Sequence, residues 1–525
     1  MKREKAKSEV RLTADLQAEA DSDDREEIER RSFAIAVMGD FRGPGGDAPP
    51  RLSGPLKGRR FLNIDRDNFD EVLARFDVRW EGTIEGQAGR SGGEVRVQLR
   101  LLEMEDFSPD RIVHQIPQLR LLLETRQALG DPSRFDAVAS EVMKWAKTTS
   151  APGPAIEPVA AAAPAPNVAP AELLKMIMGG EDTRTARSQD PWSANLRRFL
   201  EEAVGPHLIT IDTAQQTALI GAVDQALSWQ VRSVLQDPVF KRLEAAWRSL
   251  YWLASVAETG ADLRLLVLQA TKDELMQDMS DHELLEECGL ARLVLDPASV
   301  PGGMRPALLV GAYEFGPDLE DLALLERIGG IAQRLRAPFL AAAGFQLLGI
   351  NSFAELSALK DIENTVGALT QGVWQALRHS PPARWLALSL PRVLCRLPYG
   401  SEAEVTESFR FEELVSGSDH EALLWGNPSF RVAGTIAGAF AADGWSLHFD
   451  AGVARLEGLP LYMYRDEGET VAKPCAEVLL PQRIVEELEE AGLVPLVSYR
   501  DTDMIALPCL QSLGLPRSPL SWGYR

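Results

Sequence analysis

The stretch Phe33 to Gly46, FAIAVMGDFRGPGG, runs seven apolar or small residues into an aspartate and then a loop with three glycines. Two readings compete for it. A glycine-rich loop after a buried strand can cradle a phosphate with its backbone N–H groups. It can also be only the turn that closes the strand, with glycine supplying positive φ. Spacing favours the turn. A P-loop needs a Lys-Ser/Thr pair after its glycines, and none follows here. A dinucleotide-binding turn opens directly into a helix, whereas Pro44, Pro49 and Pro50 interrupt this one.

Outward from that strand, RRFLNI reads as a second short strand. DRDNFDEVLARF starts a helix, because acidic residues fill its first turn and Phe69, Val72, Leu73 and Phe76 share a face. VRWEGTIEG and EVRVQLRLL alternate apolar and polar residues around QAGRSGG, the pattern of a hairpin. SPDRIVHQIPQLRLLLETRQAL is helical, with Ser108 as N-cap, Pro109 at the first helical position and a break at Pro117. TTSAPGPAIEPVAAAAPAPNVAP, Thr148 to Pro170, is an extended Ala/Pro linker without a core-forming pattern.

Beyond the linker, helical patterns run through DPVFKRLEAAWRSLYWLASVAETG. DLRLLVLQA then reads as a strand, and TKDELMQDM as a helix with a capping box between Thr271 and Glu274. PALLVGAYEF is strand-like, DLALLERIGGIAQRLRAP helical, and FLAAAGFQLLGI apolar throughout. In LALSLPRVLCRLPYG, Leu386, Leu388 and Leu390 alternate with small residues and are expected to be buried. Alternating strands and helices give a mixed α/β (α+β) fold in two units. Four segments are expected: a charged arm over 1–30, a domain over 31–147, the linker over 148–170, and a larger domain over 171–525.

Composition bounds the function. A chain of 525 residues is long enough for more than one domain. Its net charge of -22 opposes a surface built to grip nucleic acid or anionic lipid. Cys288, Cys395, Cys475 and Cys509 include no C-x-x-C pair, so they read as small buried hydrophobes in a reducing compartment. The first 31 residues are charged throughout, with no apolar signal core, and no apolar run reaches membrane-spanning length. The expectation is a cytoplasmic protein without membrane, metal or cofactor. Asp65, Asp67 and Asp70 superficially suggest a calcium loop, but the positions that need Gly and Glu hold Asp70 and Phe76. Trp247, Leu250, Tyr251 and Ala254 fall at helical spacing and read as core. No G-x-S-x-G or H-E-x-x-H pattern is present, so no catalytic residue is assigned.

Taken in order, these segments resemble a known family. FAIAVMGDFRG, LKGRRFLNIDRDNFDEVLARFDVR and EDFSPDRIVHQIPQLRLLLETRQAL are similar to the small sheath subunit of the type VI secretion system, the VipA/TssB family. DPVFKRLEAAWRSLYWLASVAETGADLRLLVLQATKDEL, APFLAAAGFQLLGINSFAEL, ARWLALSLPRVLCRLPYG and LLWGNPSF resemble the N-terminal and middle parts of the large subunit, VipB/TssC. The resemblance implies a non-enzymatic structural protein of a contractile sheath, with two normally separate subunits fused. It also implies that the large subunit's C-terminal region is absent, which leaves open a sheath protomer or a non-polymerising cap or assembly regulator. An unrelated cytoplasmic α/β enzyme is the alternative outside the resemblance. Implied partners are other sheath subunits or further copies, a recycling AAA+ ATPase, and baseplate or inner-tube components.

One partner site is expected. In AELLKMIMGG, Leu173, Leu174, Ile177 and Met178 fall at i, i+1, i+4 and i+5 on one face of a short helix. That face can pack on the chain's own core. The resemblance implies instead that it is the helix the AAA+ ATPase recognises, in a helix-in-groove mode.

Overall fold

The structure is a computed structural model, and it describes residues 32–43, 54–84, 95–131, 133–148, 215–296, 300–446, 454–466 and 468–522. The charged arm, the Ala/Pro linker beyond Thr148 and the AELLKMIMGG segment lie outside the described residues. The longer strands in chain order are β1 (Phe33–Gly39), β2 (Leu62–Ile64), β3 (Val78–Ile84), β4 (Val95–Leu101), β5 (Leu263–Gln269), β6 (Leu308–Phe315), β7 (Phe339–Ala343) and β8 (Leu386–Leu390). The principal helices up to residue 335 are α1 (Phe69–Phe76), α2 (Pro109–Gln115), α3 (Pro117–Gly130), α4 (Phe135–Thr148), α5 (Gln215–Leu235), α6 (Pro238–Val256), α7 (Lys272–Ser280), α8 (Gly289–Leu295) and α9 (Leu319–Leu335).

The described residues form two compact units. The first takes its residues from Met1–Val78, Arg242–Leu397 and Leu423–Arg525, the second from Arg79–Lys241 and Pro398–Ala422. Each unit therefore draws on residues from both sides of the linker.

The first unit is built on a seven-stranded sheet in the order Val494–Pro495, β8, β7, β6, β1, β5, β2. β1 runs parallel to both neighbours, with Val37 opposite Val267 on one side and Val310 on the other. β2 is antiparallel and closes the edge next to β5. A central parallel strand is covered on both faces, which is why FAIAVM reads as a continuous apolar run rather than an alternating one. Phe33 to Met38 are all fully buried. Ala34, Ala36 and Met38 join the core shared with Leu275 of α7, Leu290 of α8 and Ile328 of α9. Phe33 stacks on Phe440 of the helix Ser429–Asp443, ring centroids 4.4 Å apart. Where β1 ends, a Cβ at Gly39 would lie 2.7 Å from that of Ala312, so glycine lets β1 and β6 close together.

The second unit packs the β3–β4 pair with α2 to α5 and the 398–422 segment. Trp80 donates from Nε1 to Asp237 Oδ1 (2.8 Å) and meets Phe240 edge-on. Arg126 of α3 pairs with Asp224 of α5. Arg232 of α5 donates to the carbonyls of Glu412 and Glu413.

Several expectations are met closely. β1 has the bounds read from its sequence, Ser108 accepts from Arg111 N as N-cap, and Ile116 is extended before Pro117 restarts the helix. The Thr271–Glu274 capping box forms, and Leu386, Leu388 and Leu390 are fully buried. Others are trimmed. RRFLNI yields only the three residues of β2. FLAAAGFQLLGI, read only as apolar throughout, divides into β7 to Ala343 and one tight helical turn over Phe345–Leu348. Tyr251, expected in the core, is 43% exposed; its ring stands edge-on to Phe69 at 5.0 Å while Trp247 takes the buried position.

Candidate functional site

In the described part of the loop after β1, Asp40 to Gly43, the backbone donors are used within the chain. Asp40 Oδ1 accepts from the backbone N–H groups of Arg42 (3.4 Å) and Gly43 (3.2 Å), and from Gln269 Nε2 (3.0 Å). The N–H of Phe41 goes to Gln269 Oε1 (2.8 Å). The N–H groups of Arg42 and Gly43 are held by the Asp40 carboxylate, which would repel a phosphate placed there. Gly43 at φ 73 permits the turn. Asp65 is used in the same way: its Oδ1 accepts from the N–H groups of Asp67 and Asn68 at the entry to α1.

What the loop does is fasten residues 33–78 to the rest of the first unit. Phe41 is buried against Trp247 of α6, whose indole Nε1 donates to the Phe41 carbonyl (2.7 Å). Phe69 and Phe76 of α1 stand edge-on to the same Trp247 ring. Such geometry suits the aromatic quadrupoles and adds about 0.5–1.5 kcal/mol per pair beyond area burial. Arg42 Nε donates to the Phe76 carbonyl (2.7 Å).

A second fastening is ionic. Arg59, 3% exposed, forms a two-pronged pair with Glu274 of α7 and also donates to the Gln269 carbonyl (2.7 Å). Glu274 is at the same time the capping-box carboxylate of α7, accepting from Thr271 N (2.8 Å). Burial alone would raise its pKa, but the Arg59 and Thr271 bonds outweigh that and hold it below the ordinary value. Tyr313 of β6 donates its hydroxyl to the Ala270 carbonyl (2.7 Å), tying the ends of β5 and β6 across β1.

A third cluster lies wholly beyond the linker in sequence. Glu244 of α6 is fully buried and accepts from Arg396 Nε (2.6 Å) and Nη2 (3.2 Å), and from Arg248 Nε (2.7 Å). Burial would push its carboxyl up; Arg396 and Arg248 more than offset this and hold it down. RLEAAWRSL reads as an ordinary helix, so nothing local reveals that this glutamate points inward; the signal is the partner Arg396, far along the chain.

The expected partner-site residues Leu173, Leu174, Ile177 and Met178 lie outside the described residues. The arrangement around β1 is therefore an assembly junction, made of strand pairing, aromatic edges and buried ion pairs. It positions backbone and locks segments together.

Two family models match separate stretches of the chain. A family model described as VipB, the EvpB/VC_A0108 tail sheath N-terminal domain, matches residues 217–514, more than half of the chain. A second, described as type VI secretion system VipA, VC_A0107 or Hcp2, matches residues 5–134. The chain is 29% identical over 354 residues to the type VI secretion system sheath protein TssC1 of Pseudomonas aeruginosa, covering 66% of this chain and 71% of that protein. It is also 29% identical over 99 residues to sheath protein TssB1 of the same organism, covering 19% of this chain and 55% of that protein. So β1 and β2 come from the VipA-like region, while β5 to β8 come from the VipB-like region. Among the described residues no helix is long and apolar enough to cross a membrane. The chain belongs to the type VI secretion tail sheath family and is a structural sheath component that carries a VipA-like and a VipB-like region on one polypeptide.

Proposed function

We propose that this chain is a one-chain sheath protomer, acting in the cytoplasm without a catalytic step, in which the fusion supplies within one molecule the pairing that two sheath proteins would otherwise make between them. The observation that carries this reading is the place of β1. It is hydrogen-bonded to β5 on one side and to β6 on the other, so the VipB-like sheet has a gap wherever residues 33–39 are missing. A tether between such segments raises their effective concentration and favours pairing within one chain.

The test has two parts. Cleavage within residues 149–214 is expected to leave two fragments that co-elute from a sizing column without denaturant, because the fastening lies in the sheet. Fragments that separate would remove the proposal. Negative-stain microscopy of the intact chain, alone and with its neighbouring sheath components, is then expected to show tubular assemblies. Discrete particles that bind a sheath without extending it would instead favour a cap or regulator.

The reading extends to a recycling partner. The sequence spacing of Leu173, Leu174, Ile177 and Met178 supports a helix presented to a AAA+ ATPase, four apolar side chains acting as anchors in a groove. Leu174→Asp with Ile177→Asp is expected to abolish pull-down by the ATPase N-terminal domain while the circular dichroism spectrum is unchanged. Undiminished capture by the folded double variant would exclude this helix. Contacts with baseplate or inner-tube components belong to the same proposal.

A further inference from the structure

Residues 515–522 lie beyond residue 514, where the VipB-like match ends, and belong to the first unit. Their backbone is pinned to the helix Val373–His379 and the turn Pro381–Trp385, which precede β8. Leu515 N donates to the Arg378 carbonyl (2.7 Å) and Ser521 N to the Arg384 carbonyl (2.9 Å). Further bonds fold the segment back on the residues before it. Ser512 N donates to the Ser518 carbonyl (3.0 Å), Leu520 N to the Leu510 carbonyl (3.3 Å), and Gln511 forms an antiparallel bridge with Pro519. Trp522 follows at once, half-buried. Its ring stacks on Phe33, the first residue of β1, with centroids 5.6 Å apart and planes at 13°.

Phe33 is fully buried although it stands at the entry end of its strand. Three rings share its cover: Phe440 (centroids 4.4 Å), Trp445 (5.3 Å) and Trp522. The first two come from the helix Ser429–Asp443 and the turn Gly444–Ser446 that follows it. Trp522 instead arrives from the side of β8. In the sheet β8 and β1 are three places apart, with β7 and β6 between them. The segment therefore joins two strands that share no hydrogen bond. A paired strand leaves a sheet by fraying from an end. The exit end of β1 is held by Phe41 and its bond from Trp247. The entry end is held by these rings.

We propose that residues 515–522 are a strap, with Trp522 as its positioning residue, that holds the entry end of β1 in the sheet. Under the one-chain reading, on which its purpose rests, the strap keeps the VipA-like strand from leaving the VipB-like sheet.

Amide hydrogen exchange on the intact chain, read by mass spectrometry, tests this. In Trp522→Ala the amides of Phe33–Gly39 are expected to exchange about tenfold or more faster than in the parent. Those of β7, two places along in the same sheet, should keep the parent rate. Trp522→Phe keeps a ring to stack and should restore slow exchange in β1. Unchanged exchange in β1 overturns the strap. So does acceleration of β1 and β7 together, because Trp522 would then only add to the stability of the whole unit. Where Trp522→Ala does not fold, Trp522→Leu carries the same comparison. Cleaved fragments that co-elute while β1 exchange ignores residue 522 would remove the strap and leave the one-chain reading standing. Fragments that separate would remove that reading, whatever residue 522 does.

Discussion

Ala36→Asp will leave the chain insoluble, or soluble without a cooperative melting transition in its first unit. Ala36 is fully buried at the centre of β1, opposite Leu266 on one flanking strand and Leu309 on the other. Its side chain belongs to an apolar core that includes Leu275, Leu290 and Ile328. The ionised group loses its hydration without compensation, and the larger side chain also overpacks the site. The expected cost is about 4 kcal/mol or more, a large part of the stability of an ordinary domain. Expression yield and circular dichroism melting check it. A soluble variant melting as sharply as the parent would mean that β1 does not occupy the middle of the sheet. Ala36→Ser is the control: small and neutral, it should remain soluble with a modest loss.

Glu244→Ala is expected to cost about 3–5 kcal/mol, because it strands Arg396 in the interior. Arg396 is 6% exposed and has Glu244 as its two-pronged acceptor. Arg248 is less constrained and can turn toward solvent, with 20% of its side chain exposed. Replacing both buried charges, Glu244→Leu with Arg396→Met, should recover most of the loss, since an apolar pair of similar volume has no charge to desolvate. A double variant as unstable as Glu244→Ala would show that the effect is packing and not an orphaned charge. The pH dependence follows from the lowered carboxyl pKa. Glu244's contribution is fully present above the ordinary glutamate value of 4.5 and is lost as pH falls through its lower folded value. The difference between parent and Glu244→Ala should therefore be flat through neutral pH and shrink only in acid. Urea unfolding across that range measures it.

Much of the local structure was legible because local rules govern it. FAIAVMG is apolar on both faces, so it had to be a strand covered on both sides. Pro117 had to separate α2 from α3, and Thr271 with Glu274 had to open a helix. The identity of β1's neighbours was not legible from its residues. A continuous apolar run says that a strand is central, yet Val37 would fit beside many valines besides Val267 and Val310. The same gap hid the junction's chemistry. Arg59 looks like a surface residue until Glu274 is placed beside it, and Glu244 looks solvated until Arg396 arrives. Such pairs are set by tertiary placement, which no spacing encodes. The sheath resemblance rested on the order of many segments, and so survived ignorance of how they meet.

The place of β1 also sets a timetable. It leaves the ribosome ahead of both strands that flank it, and the second of these is complete only when Phe315 has been added. At cellular elongation rates the roughly 275 residues between Gly39 and Phe315 take on the order of 10 to 50 s to make. Until β5 is complete at Gln269, Phe33, Ile35 and Val37 have no strand to pair with, and the β6 side stays open until Phe315. The nascent chain thus carries an unpaired apolar strand far longer than a hairpin takes to close, and its yield in the cell will depend on whatever shields that strand during synthesis.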